Sequence, residues 1–177
     1  MSGRVIIVEG PPLAGKTTLA RQLAKDTNAE LFIQDEIHTE ILPDSDRNLD
    51  DRILAYDEMH KRAAKVLREG KSVILEGTYS RLEYATSLKN YLGVEVLSVI
   101  DVHVSPEEAV RRFAIRKDHP GINNTSDLVA DRARTYPFFD GAFHVLEGTT
   151  EIPEIDELHE IDTNLWIASR QSEAKDR

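Results

Sequence analysis

The stretch Gly10-Pro11-Pro12-Leu13-Ala14-Gly15-Lys16-Thr17-Thr18 follows the apolar run Val5-Ile6-Ile7-Val8 almost at once. Its spacing, a glycine, four residues, then Gly-Lys-Thr, is that of a loop that wraps its backbone amides around phosphates. Gly10 and Gly15 supply the conformational freedom, and a helix following them turns its positive end toward the anion. Lys16 reaches the outer phosphates as a mobile charge, and the Thr17 hydroxyl is a magnesium ligand. Pro11 and Pro12 carry no N–H, so the grip falls to the amides from Leu13 through Ala14, Gly15, Lys16, Thr17 and Thr18. The chemistry implied is nucleoside-triphosphate binding.

The fate of the bound triphosphate depends on other residues. A guanine switch needs an Asn-Lys-x-Asp run, which is absent. An ATP-driven motor needs more chain and an acidic pair after a core strand; here Glu76 stands singly. A small kinase needs an acid beside the acceptor hydroxyl and arginines that follow the migrating charge. Asp35, after Asn28–Gln34, supplies the acid and can also cap a helix through Glu36–Leu42. Arg112 and Arg116, four residues apart on a predicted lid helix, share a face. Val110, Phe113 and Ala114 are expected on its buried side, with Arg111 paired to neighbouring glutamates. Arg132 and Arg134 follow on a second short helix, so the lid spans about residues 107–136.

The elements that must position these groups follow from periodicity. Strands are expected at 4–10, 28–35, 72–77, 94–104 and 157–164, and helices at 16–28, 53–67, 78–92, 107–118 and 127–134. Ser105-Pro106-Glu107-Glu108 is a helix start, with proline at the first position. Residues 135–157 hold a turn and a minor strand. Strands alternating with helices over short connections imply a parallel sheet covered on both faces, an α/β fold whose ligands sit at the carboxyl ends of the strands. Gly10, Asp35, Glu76, Gly77 and Asp162 all fall at predicted strand ends.

Bulk properties set the remaining bounds. The 177 residues form one domain, 1–170, with a frayed tail at 171–177. There is no cysteine, which excludes thiol catalysis and thiolate metal sites and suits a reducing, cytoplasmic interior. No apolar run approaches the ~20 residues that span a bilayer. A net charge of −10 disfavours a large nucleic-acid footprint but leaves room for a short single-stranded end in a locally basic pocket.

Taken in order, GPPLAGKTT, QDEIHTEI, VILEGTYSR, HVSPEEAVRRFAIR and HEIDTN resemble the layout of P-loop kinases of the polynucleotide-kinase and zeta-toxin type, a group with AAA-type ATP binding. The resemblance runs from about Val5 to Asn164. It implies a three-layer fold with a five-stranded parallel sheet of order 2-3-1-4-5, ATP with Mg2+, and γ-phosphoryl transfer to a hydroxyl. It further implies Asp35 as the base, Lys16, Arg112 and Arg116 as the charge-neutralising groups, and Gly77, Thr78 and Arg81 on the acceptor side. Asp162 and Asn164 would lie near the adenine. Two departures matter. His38 stands where the family often has an arginine that grips an acceptor phosphate, and Glu76 stands where an aspartate often ends the third strand. The first points away from polynucleotides and toward a small hydroxylated acceptor such as a metabolite, nucleoside, sugar nucleotide or antibiotic. Glu76 then serves either the metal, through water, or the acceptor.

The competing classes are a polynucleotide 5′-hydroxyl kinase and a nucleotide-gated regulatory ATPase that transfers nothing. The six histidines show no metal-ligand spacing. His60 is expected to be surface or satisfied core, Trp166 to be buried, Asp101 to be a paired buried carboxylate, and residues 43–52 to form a solvated loop.

Overall fold

The structure is a computed structural model and describes residues 3–116, 125–149 and 151–170. The loop expected at 120–126 lies largely outside the described residues, and the tail at 171–177 lies outside them entirely. Five parallel strands run in the order β2-β3-β1-β4-β5: β1 (Val5–Glu9), β2 (Glu30–Ile33), β3 (Val73–Glu76), β4 (Val96–Val102) and β5 (Phe143–Val145). β1 is buried along its whole length, as a central strand covered on both faces must be.

Its period-two alternation divides the core. Ile6 and Val8 pack on one side with Leu19, Leu23, Ile74, Ile100 and Ala109. Val5 and Ile7 pack on the other with Tyr56, Met59, Leu75, Leu88 and Trp166. The first layer includes α1 (Lys16–Thr27), α5 (Pro106–Ile115) and α6 (Ser126–Thr135); the second includes α2 (Gln34–Ile41), α3 (Leu49–Arg68), α4 (Leu82–Leu92) and α7 (Thr163–Ala168). Helix ends follow local chemistry. The Asn48 side chain accepts from the Asp51 amide to open α3, and Ser105 accepts from Glu108 ahead of Pro106 in α5. Gly93, left-handed at φ 63, closes α4.

The last core strand is a correction. The stretch 157–164 contributes only a two-residue strand, β6 (Ile161–Asp162), which pairs antiparallel with Val96 and Leu97 at the amino end of β4. The edge position in the parallel sheet goes instead to Phe143–Val145, from the least legible part of the sequence. The helix expected at 78–92 begins only at Leu82, because Tyr79 adopts a left-handed φ of 44 that ends any regular run. The buried face of α5 centres on Ala109, with Phe113 packed beside it, whereas Ala114 is exposed.

Behind the sheet's carboxyl edge, Glu9 is fully buried and ion-paired with the equally buried Arg170. The Trp166 indole N–H points between the two Glu9 oxygens at 3.3 Å, and Arg170 also donates to the Pro137 carbonyl. Asp101 lies against this pair, accepting from the Phe139 amide at 2.6 Å. Burial first, and then the Glu9 charge, pushes its carboxyl up to about 9. Trp166 is therefore core, as expected, and Asp101 is a buried acid with a structural neighbour.

Candidate functional site

Between β1 and α1 the chain makes the turn that the glycines foretell. A Cβ on Gly10, at φ 155, would meet the Val102 carbonyl oxygen at 2.4 Å, so the loop passes β4 too closely for any side chain. Gly15 caps α1 at φ 95, with no side chain satisfying the first amides of the helix. Those amides are open to an anion at the positive end of a twelve-residue helix. Leu13 takes a left-handed φ of 67 without being glycine, and its carbonyl accepts from Arg112 Nη1 at 2.9 Å.

On one side of the loop lies a cavity of ≈330 Å³, into which Gly15, Lys16, Thr17, Thr18, Asp35 and Glu76 face. Lys16 is buried and donates from Nζ to the Pro11 carbonyl at 2.9 Å. Burial lowers its pKa, against the opposing pull of the Glu76 and Asp35 charges. Thr17 Oγ1 donates to Glu76 Oε2 at 3.0 Å. Burial pushes the Glu76 carboxyl up, and the Lys16 ammonium resists. The Thr17 hydroxyl and Glu76 carboxylate are hard oxygen donors on one cavity wall, a set that suits Mg2+ held jointly with phosphates and water. Among the described residues no cluster of three or more His, Cys, Asp or Glu could hold a metal unaided.

Asp35 is the second residue of α2, not the end of β2, and its side chain is 64% exposed toward the cavity. Its Oδ1 accepts from Arg47 Nη1 at 2.8 Å, and Arg47 Nη2 donates to Thr39. Arg47 sits at φ 59 in the 42–48 loop. That loop is tied by its amide donating to Ser45 Oγ, by Ser45 donating to Asp51, and by the His38 ring 3.1 Å from Ser45. Segment 43–52, expected to be solvated, thus delivers Arg47 and Arg52 to the cavity. His38 does the reverse of what its place in the motif suggests. It is 1% exposed, absent from the cavity wall, and braces the loop that carries the arginine.

The lid arginines part company. α5 ends at Ile115, and Arg116 continues in extended conformation, so the two do not share a helical face. Arg116 lines the ≈330 Å³ cavity with Arg132 of α6. Arg112 instead pairs with Glu108 at 2.8 Å and lines a second cavity of ≈460 Å³ across the loop. That cavity is walled by Ala14, Thr18 and Gln22 on one side and by Val102, His103, residues 145–149, Glu151 and Ile152 on the other. Arg111 pairs with Glu108 and Arg134 with Asp131, as solvated surface groups do.

Gly77 and Thr78 follow β3 at the cavity's far end. The Gly77 amide donates to the Val8 carbonyl at 3.2 Å, and the Tyr136 hydroxyl donates to the Thr78 carbonyl. Thr78 and Arg81 border a third, smaller cavity of ≈150 Å³. Below this loop His60 is satisfied on both nitrogens, by Ser87 and Tyr79 at 2.8 Å each, and burial lowers its pKa to about 3.

Asp162 and Asn164 are not brought to the nucleotide side. They sit at the amino end of β4, whose length of about 20 Å separates them from the phosphate loop. Asp162 caps α7 by accepting from the Asn164 amide, and the Asn164 side chain accepts from Lys89. The wall of the ≈460 Å³ cavity beside the phosphate loop comes instead from residues 145–149, Glu151 and Ile152, where no periodicity marks it.

No protein of curated function matches the sequence. A family model described as an AAA domain matches residues 5–136, which covers the phosphate loop, Asp35, the lid helices and Arg132. Among solved structures, a proposed kinase of Chloroflexus aurantiacus j-10-fl is 26% identical, with 95% of this chain and 96% of that chain covered at a TM-score of 0.66. A gluconokinase of Sinorhizobium meliloti 1021 aligns over 99% and 95% at 16% identity and a TM-score of 0.60. A shikimate kinase of Acinetobacter baumannii in complex with shikimate aligns over 98% and 90% at 16% identity and a TM-score of 0.60. No described helix is long and apolar enough to cross a membrane. With that family model spanning most of its length and these kinases sharing its layout, the chain belongs to the AAA-domain family and carries the P-loop kinase fold.

Proposed function

We propose that this protein is an ATP-dependent kinase that transfers the γ-phosphoryl group to a hydroxyl of a small molecule. One observation carries the reading: Asp35 opens on the same ≈330 Å³ cavity as Lys16, Thr17 and Glu76, with Arg116 and Arg132 on its walls. A regulatory ATPase has no use for an acid at the acceptor end of that cavity held by an arginine. In this reading Arg47 holds one oxygen of Asp35 and leaves the other to take the acceptor proton. As the new O–P bond forms and the β,γ-bridge breaks, Lys16, Arg116 and Arg132 meet the charge moving onto the transferred oxygens and ADP. Thr17 and Glu76 would hold Mg2+, which supplies further neutralisation of the phosphates. Ala14, Gln22, Arg112, residues 145–149, Glu151 and Ile152 would form the base side. The likeness to a gluconokinase and a shikimate kinase supports a small acceptor at the level of fold.

A polynucleotide end is the competing acceptor, and Arg47 is the observation in its favour: it places beside Asp35 the arginine that position 38 lacks. The test is γ-labelled ATP with Mg2+ and a pooled set of metabolites, nucleosides, aminoglycosides and 5′-hydroxyl oligonucleotides, resolved by mass spectrometry. A labelled small molecule that vanishes with Asp35→Asn supports the reading. A labelled oligonucleotide replaces it with the polynucleotide reading, and label in free phosphate alone, at equal rates in both proteins, replaces it with the regulatory one.

A further inference from the structure

His38 follows Asp35 by three residues on α2, almost one helical turn, yet it is buried and absent from the cavity wall that Asp35 joins. Its Nε2 lies 3.1 Å from Ser45 Oγ. That hydroxyl is already engaged twice. It donates to Asp51 Oδ2 at 2.5 Å and accepts from the Arg47 amide at 2.8 Å. A hydroxyl has one hydrogen and two acceptor positions. Its hydrogen goes to a carboxylate, which can only accept, so the remaining lone pair meets His38 favourably only if Nε2 carries a hydrogen.

Nδ1 of the same ring is buried without a hydrogen-bond partner. A hydrogen there would be an orphaned donor, which disfavours both the Nδ1–H tautomer and the imidazolium. The charges facing the ring are Asp35 from its own helix, Arg47 from the 42–48 loop, and Asp51 and Arg52 from α3. Burial first, and then Arg47, lowers the His38 pKa against the pull of Asp35 and Asp51. The ring is therefore neutral and carries its hydrogen on Nε2.

The Ser45 hydroxyl so fixed is the anchor of Arg47. Arg47 holds a left-handed φ of 59, a conformation that a residue with a side chain keeps only where its surroundings impose it. Its amide ends on Ser45, and its guanidinium reaches Asp35 Oδ1 at 2.8 Å and Thr39 Oγ1 at 2.9 Å. We infer that His38 is a positioning residue for phosphoryl transfer: as its Nε2–H tautomer it holds Ser45, Ser45 holds Arg47, and Arg47 aims Asp35 at the acceptor. The inference rests on the kinase reading for its use, but the brace itself can be measured without turnover.

Two measurements on the whole protein with ADP and Mg2+ need no acceptor. The nitrogen–proton correlations of 15N-histidine-labelled protein at about pH 7.5 are expected to show His38 neutral and protonated on Nε2. Its signals are those missing from His38→Gln. Trypsin cleavage after Arg47, followed by mass spectrometry, is expected to be about tenfold faster in His38→Ala and in Ser45→Ala. In His38→Gln, whose side-chain amide can donate from the place of Nε2, cleavage should return near the wild-type rate. Retained ADP affinity shows that each variant has folded.

Transfer from labelled ATP to the acceptor found in the pooled screen completes the test. His38→Ala and Ser45→Ala should each lower kcat by up to about tenfold, with both KM values within about twofold. His38→Gln should recover most of the loss. Because His38 acts through Arg47, His38→Ala should add nothing in an Arg47→Ala background, a non-additivity that general loosening would not produce. An Nδ1–H tautomer, a charged ring, wild-type kcat in His38→Ala, or losses that multiply in the double variant overturns the inference. An Nε2–H ring and faster cleavage in both alanine variants, with no transfer to any acceptor, keeps the brace and removes the kinase reading.

Discussion

The phosphate side and the acceptor side of this sheet edge are built in opposite ways. The phosphate side is nine consecutive residues, Gly10 to Thr18, whose work is done mainly by backbone amides and a helix end. The side proposed for the acceptor is assembled from α2, the 42–48 loop, α3, the 77–81 turn and α6, and it offers side chains where the other offers backbone. A backbone site tolerates almost any side chain that keeps out of the way, but no change of path. A side-chain site tolerates changes of path that keep its tips together. The first is expected to be general for triphosphates, and the second to decide what is phosphorylated.

Mutations can separate the two. The sharpest division comes from Asp35→Asn, expected to lower kcat by about 10³-fold while leaving the ATP Kd within about twofold. Steady-state rates and calorimetry on one preparation check it, and a matched loss of ATP affinity would erase the distinction. Gly10→Ala attacks the other side. A methyl group 2.4 Å from the Val102 carbonyl forces the loop off β4, so ATP binding is lost together with about 3 kcal/mol of stability, read from urea melts.

A pH test reaches the support under the acceptor turn. His60 has its pKa lowered to about 3 by burial, below the ordinary value near 6.5 in the unfolded chain. The unfolded state therefore binds the extra proton first, and the stability contributed by neutral His60 is intact above about pH 6.5 and lost as pH falls. At pH 5 the loss is about 2 kcal/mol, and His60→Asn should remove that part of the pH dependence. Arg47→Ala frees Asp35 without removing it, so kcat should drop by only about tenfold, with unchanged ATP affinity and partial recovery in Arg47→Lys. Smallest of all, Asn48→Ala deletes the cap of α3 and should cost about 1 kcal/mol in thermal or urea unfolding.

The same contrast explains how far the sequence is legible. The phosphate loop is readable because a backbone site leaves its geometry in spacing, and the strand–helix alternation is readable because burial imposes a period. Together they yield the α/β fold with a parallel sheet, whereas the 2-3-1-4-5 order comes only with the resemblance to P-loop kinases. Arg47 and Arg52 are hidden in an acidic, turn-rich stretch, since nothing local says that a left-handed residue will swing a guanidinium back over α2. His38 misleads because a motif position predicts where a residue sits in the chain, not which way its side chain turns. Asp162 and Asn164 mislead for a related reason. A run ending in Ile-Asp looks like a core strand, yet two residues pairing antiparallel at the far end of β4 satisfy the same pattern. β5 is hard to see because three residues, two of them exposed, carry almost no periodic signal.

The Glu9–Arg170 pair has a consequence for how the chain is made. Glu9 ends the strand at the centre of the sheet, and the guanidinium that lets it be buried is synthesised 161 residues later. Until then a nascent β1 holds a carboxylate that must stay hydrated or take up a proton. A fragment that ends before Arg170 is expected to pack the carboxyl end of β1 less firmly and to hold the phosphate loop that springs from it less tightly. A stop codon or proteolytic nick just before α7 should leave a chain that quality-control proteases recognise as unfinished, although every residue of the phosphate loop is already in place.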